Sequence, residues 1–331
     1  MAWLFAPPLQ RPGLALRELL QEEPIVVAPG AFNPLVGLAA RRAGFRALYF
    51  SGAAHSASLA LPDLGLLSLP EVAQAVRQLV RATGLPVIAD ADTGFGEVLN
   101  VAATVAALEE AGAAAVQLED QVMPKKCGHL PDKAVVAAEE MARKLEAAAR
   151  VRRDLLIVAR TDARATHGFD EAVRRAHIYL EAGADIIFPE ALESEQEFEA
   201  FARAVRAPLL ANMTEFGKTP YIPVERFRRW GYRVVIFPVT ALRMAMRAVE
   251  EAFRVLREQG TQRELLDRMQ TRGELYELID YHRYEAFDRE VAGGKAGRAA
   301  GRQQGEPERA GMSQSALGGN DRGGSRLQPG A

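Results

Sequence analysis

Eight short apolar runs, rich in β-branched residues and separated by longer amphipathic stretches, dominate this chain. They cover residues 25–31, 47–52, 86–92, 115–120, 155–161, 185–190, 208–214 and 233–239. Runs of this length that stay apolar throughout suit parallel strands buried on both faces. The stretches between them are rich in Ala, Leu, Arg and Glu and have helix length. Residues 97–111 and 170–182 carry apolar side chains at helical spacing and end near Ala-Gly-Ala, a helix stop leading into the next strand. Eight β/α units in 331 residues predict an α/β fold, a (β/α)8 TIM-type barrel rather than an open sheet.

The runs turn polar at their C-terminal ends: Ser51-Gly52, Asp90 and Asp92, Glu119-Asp120, Arg160-Thr161-Asp162, Glu190, Asn212 and Thr214. In such a barrel these ends converge on the face that carries the active site. A strand simply ending where the chain turns polar accounts for one or two of them, but not for acids, an arginine and amides recurring at six.

Beyond the eighth run, residues 241–258 read as helix and 262–288 as a further amphipathic segment. Its Leu265, Met269, Leu275, Leu278, Ile279, Tyr281 and Tyr284 need a surface to bury against, in the same subunit or a partner. From 292 the chain becomes Gly, Arg, Gln, Ser and Pro, with six basic and three acidic residues. The expected organisation is a domain over 1–291 and a disordered, solvated tail over 292–331.

A net charge of -2 without a basic aromatic stripe argues against nucleic acid. No apolar run is long enough for a bilayer, and the start, Met1-Ala-Trp-Leu, does not read as a signal peptide. A single cysteine forms no internal disulfide. A soluble cytoplasmic protein acting on small molecules is expected.

Three groups carry chemistry. Asp90 and Asp92, two apart along a strand, share a face, and Glu119 ends the next strand. Three carboxylates repel unless a cation sits among them, and hard oxygen ligands suit Mg²⁺ or Mn²⁺. Cys127 stands in a loop, Lys125-Lys126-Cys127-Gly128-His129, where flanking cations are expected to lower the thiol's pKa and fit it for proton transfer. Arg160 can grip a carboxylate, Asn212 and Thr214 offer uncharged donors, and Ser51-Gly52 offers backbone N–H groups. Glu190 can position Arg160 or a hydroxyl. Metal, anion donors and a thiol together suit aldol-type cleavage of a polycarboxylate. A loop of this kind is expected to stand open without ligand and close over substrate, with Gly128 aiding the movement.

These residues sit in motifs that resemble the isocitrate lyase / phosphoenolpyruvate mutase superfamily, and its 2-methylisocitrate lyase branch in particular. The resemblance runs through YFSGA (49–53), LPDLG (61–65), DADTGFG (90–96), LEDQ (118–121), KKCGH (125–129), ARTDA (159–163), FPEA (188–191), NMTEFG (212–217) and TRGELYELIDY (271–281). It implies Mg²⁺-dependent cleavage of 2-methylisocitrate to pyruvate and succinate, the last step of the methylcitrate cycle of propionate breakdown. It also implies Asp90 and Asp92 on the metal with Glu119 nearby, Cys127 as general acid and Tyr49 as base. Ser51, Gly52, Ala53, Gly128, His129, Arg160, Glu190, Asn212 and Thr214 would bind substrate, with Arg160 and His129 also serving catalysis. Homotetramers with swapped C-terminal helices are implied as well. Isocitrate or dimethylmalate cleavage, oxaloacetate decarboxylation and phosphonate-forming mutation are the alternatives; Cys127 argues against the last two. The chain departs from the pattern at Ala53, where close members often carry glycine, and at Ile236 in the eighth run.

Overall fold

The computed structural model describes residues 3–5 and 9–300, and of Trp3 and 293–300 the backbone alone. All eight expected runs are strands: β1 Val26–Pro29, β2 Leu48–Phe50, β3 Val87–Asp90, β4 Ala115–Glu119, β5 Leu156–Thr161, β6 Ile186–Pro189, β7 Leu210–Asn212 and β8 Val234–Phe237. Every pairing is parallel. They form one sheet in the order β1-β8-β7 and another in the order β2-β3-β4-β5-β6. Parallel bridges Gly30–Tyr49 and Ile187–Leu209 lie between β1 and β2 and between β6 and β7. The fold is α/β and TIM-barrel-like.

Strand alternation sorts side chains into two cores. Leu156 and Val158 of β5 join Ala115, Ile88, Phe188, Leu210 and Ile236 in one cluster. Their neighbours Ile157 and Ala159 join Val116, Leu118 and the inward faces of the helices in the other. Buried on both faces, the strands had to be apolar throughout. Leu16 and Leu19 of the helix Pro12–Glu22 belong to the first cluster. That helix therefore packs at the strand starts, away from their polar ends. The sequence patterning had not singled it out.

Helices Val98–Glu110 and Phe169–Glu181 occupy the expected segments. Each is followed by a glycine in the left-handed region, Gly112 (φ 92°) and Gly183 (φ 106°), where a side chain is disfavoured. Residues 262–288 do not form one amphipathic element. They break into a 3-10 turn Arg263–Arg268, a helix Arg272–Leu278 and the start of a helix Tyr281–Ala300. A capping box, Thr271 with Glu274, starts the second of these, and Asp280 at φ 59° separates it from the third. The chain divides into a unit of residues 1–284 and a unit of residues 285–331. The compositional boundary at 291/292 falls within the last helix, and 301–331 lie outside the described residues.

Asp120 illustrates the alternation. Next to inward-facing Glu119, it points outward to the helices. There it accepts from Thr161 Oγ1 (2.8 Å), Asp162 N (2.9 Å), Arg175 Nη1 (3.1 Å) and Tyr179 Oη (2.7 Å). So not every polar strand end serves the site. Replacing Asp120 by Ala leaves Arg175 its Glu171 and Val136 partners but takes the acceptor from Thr161, Asp162 and Tyr179, an expected loss of about 2–4 kcal/mol. Tyr179→Phe removes one hydrogen bond, about 1 kcal/mol. Urea denaturation of the two variants measures both, and equal losses would show that the ion pair does not tie β4 and β5 to the helix layer.

Candidate active site

Strand register decides which polar side chains meet. Glu119 pairs in register with Arg160, Arg160 with Phe188, and Asp90 with Gln117. Accordingly Arg160 Nη1 lies 3.0 Å from Glu119 Oε2, and Gln117 Nε2 donates to Asp90 Oδ1 at 3.2 Å. Arg160 is the hub. Its Nε and Nη2 donate to Asp162 (2.9 and 3.1 Å), its Nε lies 3.6 Å from Glu190 Oε2, and the guanidinium sits 5.4 Å from the Phe188 ring centre.

Above the strand ends lies a cavity of about 390 Å³. Tyr49, Ser51, Ala53, Asp90, Cys127, Gly128, Arg160, Glu190, Asn212 and Thr214 line it, all of them expected site residues. Gly52, Asp92, Glu119 and His129 stand just behind. Gly52 N donates to Asp90 Oδ2 (3.1 Å) at the start of the short helix Gly52–Ser58, which Ser51 caps. His129 accepts from Lys218 N through Nδ1 (3.1 Å), so Nε2 carries the hydrogen and faces Glu190 Oε1 at 2.9 Å. Asn212 Nδ2 approaches both Glu190 oxygens at 3.3 Å. Burial works against the Glu190 charge, but Arg160 and then His129 hold its pKa down at about 2.

The structure bears on four expectations. First, β3 ends at Asp90, and Asp92 lies beyond it at φ 48°. Strand periodicity therefore does not bring the two carboxylates together; the left-handed turn does, and both flank Gly52. Second, among the described residues no three His, Cys, Asp or Glu side chains form a ready metal cluster. Lys125 Nζ occupies the space, 2.7 Å from Asp92 Oδ1 and bonded to Asp63, while Arg160 draws Glu119 aside. Third, the lysines around Cys127 do not acidify it. Lys125 turns to the acids and Lys126 to the Asp132 carbonyl (3.0 Å). Cys127 is exposed at the surface, yet desolvation by the protein around it, then the Glu190 charge, raises the thiol's pKa against a hydrogen bond from the His129 backbone. Fourth, the loop is seated on Glu190 and Arg160 in the structure. Gly128 serves close approach: a Cβ there would lie 2.2 Å from Glu190 Cγ and 2.7 Å from Arg160 Nη2.

Tyr49 lines the cavity as a phenol. Its phenol donates to Gln117 Oε1 (2.5 Å), and burial followed by the Asp90 charge raises its pKa well above the ordinary value. Asp63, Lys125 and Arg243 also line the cavity, and the sequence reading had not assigned them to the site. Asp63 stands in the LPDLG motif, which was the available signal. Arg243 stands on the helix Thr240–Gln259 with no signal beyond ordinary surface periodicity. Phe188, Ile236, Pro238, Val239, Leu242 and Met246 supply an apolar wall.

The oxygen set suits a hard cation. Glu119 Oε1 is buried without a hydrogen-bond partner. Burial and then Asp90 raise the pKa of Asp92 to about 6 against the pull of Lys125, the mark of negative charge short of a counterion.

The phosphoenolpyruvate phosphomutase family matches residues 16–257. A protein of Aeropyrum pernix named 2-methylisocitrate lyase is 60% identical over 292 residues, 88% of this chain and 95% of that one. One of Halalkalibacterium halodurans with the same name is 52% identical over 294 residues, 88% of this chain and 98% of that one. The crystal structure of a 2,3-dimethylmalate lyase superposes with a TM-score of 0.81 at 34% identity, covering 86% of this chain and 96% of that one. Agreement of this extent in sequence and in overall superposition leaves one placement: the chain belongs to the phosphoenolpyruvate mutase/isocitrate lyase superfamily.

Proposed function

We propose that this protein is a Mg²⁺-dependent 2-methylisocitrate lyase, splitting its substrate to pyruvate and succinate in the methylcitrate cycle of propionate breakdown. The observation that carries the reading is the placing of the Cys127 thiol on the lining of a cavity that also presents Arg160, Asn212 and Thr214 for carboxylates and Asp90 for a metal. The relatives named above support it.

Asp90 and Asp92 would hold Mg²⁺ or Mn²⁺ with Glu119 nearby, and Lys125 would yield its place beside Asp92. The bound ion supplies stabilisation of negative charge on substrate oxygens. Arg160 and Asn212, both braced by Glu190, with Thr214, Ser51 and the Gly52, Ala53 and Gly128 backbone, bind the carboxylates. His129 orients Glu190. Tyr49, whose phenol lies on Gln117 beside Asp90, would take the substrate's hydroxyl proton as its phenolate, the base role implied for it, and the charge of a bound cation would favour that form. When the C–C bond breaks, Cys127 Sγ gives its proton to the carbanion equivalent of succinate, and its raised pKa keeps that proton in place until then. The wall of Phe188, Ile236 and Leu242 suits the substrate's methyl group.

The eight strands close into a (β/α)8 barrel on this reading, supported by the two bridges between the sheets. The working form is a cytoplasmic homotetramer with swapped C-terminal helices. Met244, Phe253 and Leu266 are 69%, 66% and 56% exposed, an apolar surface that a second copy would cover. Among the described residues no helix is long and apolar enough to cross a membrane.

Pyruvate release from 2-methylisocitrate is expected with Mg²⁺ and not with EDTA, with little glyoxylate from isocitrate. Turnover of isocitrate or dimethylmalate instead would move the substrate assignment. Cys127→Ser is expected to lower kcat by a factor of about a hundred or more while substrate still binds. Phe253→Glu is expected to shift the mass measured in solution to smaller species; an unchanged tetramer would place the interface elsewhere.

Asp92 gives a pH test. Its folded pKa of about 6 lies above the ordinary 3.8. Between those values the folded chain binds more protons than the unfolded one, so stability falls as pH rises and stays lower above the window. Without Mg²⁺ at pH 7, Asp92→Asn should therefore gain about 2–3 kcal/mol while abolishing turnover. A destabilised variant in thermal denaturation with EDTA would show that Lys125 already balances the charge.

A further inference from the structure

Beside buried Gln121, which clamps the Lys126 backbone in both directions (2.8 and 2.9 Å), three ionisable side chains tether the turn that carries Cys127. Lys125 holds Asp63 and Asp92, and His129 faces Glu190. Asp63 and Glu190 line the cavity and Asp92 stands beside it, so a bound cation or substrate competes for those partners. The third tether is different. Lys133 Nζ donates to the Gly128 carbonyl and, at 2.6 Å, to Asp162 Oδ1. Neither Lys133 nor Asp162 lines the cavity. Their side chains are 3% and 0% exposed.

Asp162 is also the carboxylate that grips Arg160 through two hydrogen bonds, and its own backbone N–H is anchored on Asp120. One ammonium thus joins the backbone of the proton-donor turn to the carboxylate that orients the substrate-binding guanidinium. We infer that Lys133 is a positioning residue: it fixes the Cys127–Gly128 turn at a set distance from Arg160, and it keeps doing so when ligands displace the other two tethers. The inference rests on the reading of Cys127 as proton donor and Arg160 as anion holder.

The geometry favours Lys over a neutral residue. Arg160 stands among three acids, Glu119, Asp162 and Glu190. A second cation on Asp162 offsets the excess negative charge without entering the cavity. A buried donor removed from Gly128 O leaves that carbonyl without this partner, which favours an opened turn.

Lys133→Met, Lys133→Gln and Lys133→Arg test this. Hydrogen exchange of the free protein over residues 126–132 is expected to quicken about tenfold or more in Lys133→Met, with the rest of the barrel unchanged. With 2-methylisocitrate, kcat should fall by a similar factor and KM should move less, because Asp162 still holds Arg160. Lys133→Arg should restore most of kcat, having donors for both acceptors. Should Lys133→Met fail to fold, Lys133→Gln, neutral but still a donor, carries the same measurements. Wild-type exchange and kcat in Lys133→Met would overturn the inference. So would exchange raised across the whole barrel with no rescue by Arg, which marks a stability role only. The exchange readout needs no turnover, so a protein inactive on 2-methylisocitrate would sink the lyase reading while the local exchange still decides the tether.

Discussion

Everything at the mouth of this fold is arranged around one buried guanidinium. Arg160 ends β5 with Glu119 in register on one side and Phe188 on the other, and it meets Asp162 and Glu190 beyond the strand ends. A charge so withdrawn from water is tolerable only when paired and hydrogen-bonded. The pairing in turn dictates its neighbours. Glu190 is kept ionised, and that lets it receive Asn212 and His129. Asp162 is held by Arg160 and Lys133 together. The substrate-binding side of the cavity is therefore preorganised, with its donors already aimed before any ligand arrives.

The opposite side is organised by excess negative charge. Asp63, Asp90, Asp92 and Glu119 cluster about Lys125, whose pKa is raised because those acids outweigh the cost of its burial. Asp92 stays hard to ionise, with burial as the main cause. The two halves thus differ in kind: one is a satisfied network, the other is short of positive charge. Between them sits Cys127, exposed at its surface, its pKa raised by desolvation on the cavity side and by the Glu190 charge. A thiol that retains its proton suits an acid, whereas thiolate chemistry would need the cations that here point elsewhere.

Much of this was legible beforehand. Eight apolar runs implied eight parallel strands because burial on both faces leaves no polar positions. Each strand lies within its expected run. Asp90, Arg160, Glu190, Asn212 and Cys127 could be named because polar residues at strand ends and in the loops beyond them gather at one face of this architecture. Asp120 shows the limit of that rule. It is a strand-end acid like Glu119, yet alternation turns it to the helix layer, where it joins Arg175 and Tyr179.

By itself the sequence determined the number, order and type of the strands, the superfamily and much of the chemical inventory of the mouth. These follow from local patterning and from motifs whose spacing is continuous along the chain. Tertiary structure alone decided which charges meet. Lys125 and Lys126 are adjacent in the chain, but one enters the acid cluster and the other bonds a loop carbonyl. Lys133 reaches Asp162 across 29 residues, and Arg243 arrives from a helix beyond β8. Pairing energies and desolvation depend on distances of a few ångströms, and those are fixed by strand register and loop seating, not by proximity in sequence. For that reason the thiol's pKa, expected to fall beside two lysines, rises instead.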